Sequence, residues 1–74
     1  MIKISAEDEK FIYHNIPNAV QYLKAQDLRG LLGELDDTVL ARGYDGRWGD
    51  GINDFGRQIE RIIDRVYYDN TTQE

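Results

Sequence analysis

The stretch Asp27-Leu28-Arg29-Gly30-Leu31-Leu32-Gly33-Glu34-Leu35-Asp36-Asp37-Thr38-Val39-Leu40-Ala41-Arg42 decides the fold. Its apolar residues, Leu28, Leu31, Leu32, Leu35, Val39 and Leu40, recur in steps of three and four, which draws one apolar stripe along an α-helix. Asp27 stands just before the stripe, where its carboxylate can accept from the free N–H groups of the first turn. Arg42 and Gly43 close it: a cation at the negative end of the helix dipole, then a residue free to adopt positive φ. Gly30 and Gly33 run against the reading, because each costs roughly 1 kcal/mol relative to alanine inside a helix.

A second stripe follows the same logic with Phe55, Ile59, Ile62, Ile63, Val66 and Tyr67. Asn53 or Asp50 serves as its N-cap, and Asp69-Asn70-Thr71 stops it at the start of a polar tail over 70–74. The two stripes predict an antiparallel helical hairpin, about 27–42 and 53–68. Between them runs Gly43-Tyr44-Asp45-Gly46-Arg47-Trp48-Gly49-Asp50-Gly51-Ile52, with glycines at 43, 46, 49 and 51 and the chain's one tryptophan. This loop exceeds the roughly two to eight residues usual between packed helices. Long loops tend to carry function, so Tyr44, Asp45, Arg47, Trp48 and Asp50 are the candidate partner-binding residues. The plainer alternative is that Trp48 folds back as a lid on a small core.

The N-terminal part supplies shorter elements. Met1–Ile4 reads as an extended arm with no second strand to pair with, and pairing across a dimer would give it one. Ser5 followed by Glu7 and Asp8 marks a helix start; that helix runs to His14 with Phe11 and Ile12 inward and Tyr13 flanking. Pro17 disfavours helical geometry at Ile16 and suits the first turn of a new helix. The new helix, about Pro17 to Lys24, shows Val20 and Leu23 on one face near Ile16, and Ala25-Gln26 forms a kink into the hairpin. The result is an all-α single domain over 1–74, a small bundle of three to four helices.

With 74 residues, the chain buries only about 60% of its unfolded surface. It has no cysteine, so no disulfide and no cysteine-based metal site supports the core. Association into a homodimer is the simplest supplement. No apolar run reaches the roughly 20 residues a membrane span needs, and the N-terminus lacks a signal-peptide pattern; the expected location is the cytoplasm. The net charge of −5 weighs against nucleic-acid binding, which relies on cationic surface, and suits a basic protein partner. It also suits simple solubility.

Arg57, Arg61 and Arg65 fall four apart along one edge of the last helix. With Tyr68 they form a candidate anion-binding row, since guanidinium groups fork onto phosphates and carboxylates. The competing reading is a solvated face, with Glu60 and Asp64 pairing to Arg57 and Arg61 three residues back. Glu34, Asp36 and Asp37 form an acidic group on the first hairpin helix, and in an antiparallel pair they could face the arginine row and make it structural. Asp45, Asp50, Asn53 and Asp54 lack the order of a calcium loop and are better explained by caps and turns. His14 has no nucleophile near it and is placed to meet terminal carbonyls. The glycines form neither a dinucleotide-binding nor a P-loop pattern. No metal site, cofactor or catalytic set is expected.

Leu31–Asp37, Asn53–Arg57 and Ile59–Asp64 together resemble small phage- or prophage-encoded helical proteins, over about half of the chain. The resemblance implies a short acidic protein that binds and blocks a host protein, such as a defence or transcription component. The expected function is therefore non-enzymatic binding. An oligomeric sponge for an anionic ligand or nucleotide signal, and a structural oligomer subunit, are the alternatives.

Overall fold

Ser5 starts the first helix as its residue type requires: its hydroxyl accepts from the Asp8 N–H at 3.1 Å. The structure, a computed structural model, describes residues 2–44 and 51–71. Within them lie four helices, α1 (Ala6–Asn15), α2 (Pro17–Lys24), α3 (Leu28–Arg42) and α4 (Asp54–Thr71). The fold is all-α, and among the described residues the only β-pairing is an isolated antiparallel bridge between Tyr44 and Ile52. Pro17 occupies the first turn of α2 as expected. Asp27 caps α3 by accepting from the Gly30 N–H at 3.0 Å, and Asn53 caps α4 by accepting from the Gly56 N–H at 2.7 Å. Asp50 lies outside the described residues.

α1 packs on α2, α2 on α3, and α3 on α4. The core at their meeting surfaces is Ile12, Ile16, Ala19, Leu23, Leu31, Leu35, Val39, Ile59, Ile62 and Val66. Each stripe expected from sequence therefore supplies three buried residues, with Leu28, Leu32, Phe55 and Ile63 packed at the edges. Two members of the stripes are corrected. Leu40 is 68% exposed and Tyr67 is 57% exposed. Each directly follows a buried residue, Val39 or Val66, and so points about 100° away around the helix.

The glycines of α3 and its end divide by purpose. A Cβ at Gly30 would meet the Tyr22 ring at 2.4 Å, so Gly30 makes room for α2. Gly33 faces open space. Gly43 was expected to take positive φ, but its φ is −91°. Its purpose is contact: a Cβ on Gly56 would stand 2.5 Å from the Gly43 carbonyl oxygen and 2.8 Å from its Cα. The backbones of α3's end and α4's start thus touch. Asn53 fastens the same place, its N–H donating to the Gly43 carbonyl at 2.7 Å and its side-chain amide to the Arg42 carbonyl at 3.1 Å. Positive φ occurs instead at Gly51 and at Gln26.

The N-terminal arm is held by its own chain. Lys3 donates its N–H to Asn70 Oδ1 at 2.7 Å and accepts from Asn70 Nδ2 at 2.8 Å. The Ile2 N–H donates to Gln26 Oε1 at 2.7 Å. One side-chain amide thus does for Lys3 what a neighbouring strand would do, and Ile2 and Ile4 pack against the core. Asn70, expected to open the polar tail, belongs to α4, which continues to Thr71.

These contacts make opposite demands on two glycines. Gly56→Ala forces backbone apart and is expected to lower stability by about 1–3 kcal/mol. Gly33→Ala removes a helix-interior glycine without a clash and is expected to raise stability by about 0.5–1 kcal/mol. Urea denaturation of the three proteins checks both signs.

Candidate functional site

Of the five residues expected to form a partner-binding loop, Asp45, Arg47, Trp48 and Asp50 lie outside the described residues, and Tyr44 lies within them. Tyr44 is 48% exposed, although its backbone is bridged to Ile52. It therefore stands on a base fixed by the Gly43–Gly56 contact and by Asn53, with about half of its surface open to solvent.

Arg42, read from sequence as a dipole-end cation, ties three helices together at this end. Its Nη2 donates to the Asn15 carbonyl at 2.7 Å, which satisfies the last turn of α1. Its guanidinium carbon lies 4.9 Å from the centroid of the Phe55 ring on α4, within cation–π range. Phe55 in turn packs on Phe11 with ring centroids 5.8 Å apart. His14 was expected to meet the terminal carbonyls; Arg42 takes that role at Asn15, because a guanidinium on α3 reaches across the helix ends.

The arginine row is not a single site. Arg65 is spent on Asp8, with Nη2 2.7 Å from Oδ1 and Nε 2.9 Å from Oδ2. This two-point bond to a buried carboxylate raises the guanidinium pKa above its ordinary value. Arg61 and Arg65 line one notch of about 250 Å³ between α1 and α4, but Glu7 and Asp8 line it too. Two cations facing two carboxylates leave no net positive basin. Arg57 and Tyr68 are exposed elsewhere on α4 and do not line the notch. Among the described residues the only ion pair is Asp8–Arg65, so the expected pairs with Glu60 and Asp64 do not form. Glu34 and Asp37 do not meet the arginine row either; they line a groove against the start of α2.

Asp8 was read only as a first-turn acid. It is 5% exposed. The signal was present in the spacing, since Asp8 lies four residues before the buried Ile12 and so shares its face. A carboxylate on a buried face calls for a cation from another helix. Asn70 carried no comparable signal. Among the described residues no group of three histidine, cysteine, aspartate or glutamate side chains could hold a metal ion, and no helix is long and apolar enough to cross a membrane.

Removing Arg65 leaves both Asp8 oxygens without their partner. Arg65→Ala is expected to cost about 1–3 kcal/mol. Arg61→Ala, at a solvated position of the same row, is expected to change stability by less than about 0.5 kcal/mol. Equal effects in chemical denaturation would contradict the division of roles within the row.

The chain matches no protein-family model, no curated protein and no solved structure.

Proposed function

We propose that this chain is a non-enzymatic binding protein that engages another protein through the end of the molecule where α3 passes into α4. The supporting observation is the exposed Tyr44 on a base whose backbone is fixed from both sides. A large aromatic side chain presented on a rigid support loses little freedom when it is covered, which favours affinity. Trp48 and Arg47, of the residue types that most often dominate interfaces, follow within a few positions in sequence. The net charge of −5 directs the choice of partner toward a basic surface, and opposite charge speeds the encounter.

Within the proposal, the activity is the blocking of a host protein in the cytoplasm by a homodimer, as the resemblance to small phage-encoded proteins implies. The anion-sponge reading has less support, because Arg65 is already bonded to Asp8 and the notch beside it carries two carboxylates. The structural-subunit reading has no specific observation behind it.

The experiment uses the purified protein as bait for a candidate host's proteins, followed by affinity measurement with Tyr44→Ala and Trp48→Ala. Truncating an anchor of this kind costs about 2 kcal/mol or more, a drop in affinity of roughly 30-fold, with helicity unchanged. Undiminished affinity in both variants, or loss of helicity in either, would contradict the proposal.

A further inference from the structure

The N-terminal arm is one half of a strand pair. Lys3 turns both its N–H and its carbonyl to one partner, the side-chain amide of Asn70. In an extended chain these groups alternate between the two edges, so those of Ile2 and Ile4 point to the opposite edge. The Ile2 N–H does so, and Gln26 Oε1 accepts it at 2.7 Å. Ile4 has no such partner: among the described residues neither its N–H nor its carbonyl takes part in a hydrogen bond. One edge of the arm is thus closed by Asn70, and the other is open at Ile4. The open edge borders a groove of about 320 Å³, walled by Ile2, Ile4 and Gln26 on the arm's side and by Tyr13 of α1 and Leu23 of α2. Gln26 is held in place there. Its φ of 58° is a left-handed conformation that a glutamine resists, and its amide also donates to the Leu23 carbonyl at 3.2 Å. The charged side chains of the lining are Glu9 and Lys24, one anion and one cation, so the groove carries no net charge.

We infer that an extended segment of a partner protein adds to the arm here as an antiparallel strand. One partner residue stands opposite Ile4 and exchanges two hydrogen bonds with it: the Ile4 N–H donates to the partner carbonyl, and the partner N–H donates to the Ile4 carbonyl. Residues directly opposite in such a pair put their side chains on the same face. Ile4 packs inward against the core, so the partner side chain also turns inward, into the groove beside Leu23 and Tyr13. Apolar walls with no net charge select an uncharged aliphatic residue there. This surface is separate from the one around Tyr44, because Gln26 precedes α3 and Tyr44 follows it, at opposite ends of that helix. The inference therefore does not rest on the loop reading.

The test titrates a capped pentapeptide, a central valine flanked on each side by two threonines, into the intact isotope-labelled protein. The peptide is expected to shift the amide signals of Ile4, Leu23 and Gln26 saturably and to slow hydrogen exchange at the Ile4 amide. Methylating the backbone nitrogen of the valine removes the donor that faces Ile4 and is expected to abolish these effects. Methylating the nitrogen of the next threonine, which points to the other edge, is expected to leave them. Replacing the valine with serine is expected to weaken binding roughly tenfold, since the apolar side chain is lost from the groove. Absence of saturable shifts, undiminished binding by the valine-methylated peptide, or undiminished binding by the serine peptide overturns the inference. Movement of the Ile4 signal on dilution of the protein alone assigns the open edge to a second copy of the chain and overturns it as well.

Discussion

The structure depends on two glycines that let backbone touch backbone. Gly43 ends α3 and Gly56 lies in the first turn of α4, and neither position has room for a Cβ. With that contact made, Ile59, Ile62 and Val66 share one core with Leu31, Leu35 and Val39. Asn53 is suited to the same spot because its carbonyl caps α4 while its amide reaches back to α3. The end of the molecule that carries Tyr44 is therefore joined by a backbone contact, by the Tyr44–Ile52 bridge and by Asn53.

Among the described residues the core is ten apolar side chains, which is small, and no disulfide assists it. Polar clips bind its margins instead. Arg65 holds Asp8, Arg42 joins α3 to the end of α1 and to Phe55, and Asn70 holds the arm. A typical clip contributes about 1 kcal/mol, so each is modest and their number matters. They join residues far apart in sequence, which ties the termini into the bundle. Among the described residues no buried side-chain nitrogen or oxygen lacks a hydrogen-bond partner, so these clips leave no stranded polar atom behind.

Features set by local physics were legible in the sequence. Ser5, Asp27 and Asn53 cap helices because short polar side chains reach N–H groups two or three residues on, and Pro17 starts α2 because its ring suits a first turn. The four-helix order followed from these signals and from the spacing of leucine and isoleucine. What depended on a neighbouring helix was harder to read. Leu40 and Tyr67 are apolar without being inward, because a stripe does not say how wide a face its neighbours cover. Gly43 was assigned to backbone angle when its need was proximity. Arg65 looked equivalent to Arg57 and Arg61 until Asp8 came opposite it. Of the candidate partner-binding residues in the loop, only Tyr44 lies among the described residues, and it is half-exposed.

The most direct test of the account is the distance between Gly43 and Gly56 in solution. Cross-relaxation between their α-protons, observed in a nuclear Overhauser spectrum of the intact protein, reads that distance without any substitution. The account requires a strong cross-peak, together with one linking the amide proton of Asn53 to the α-protons of Gly43. Assigned spectra in which both peaks are missing would separate the ends of α3 and α4 and remove the platform on which the functional reading stands.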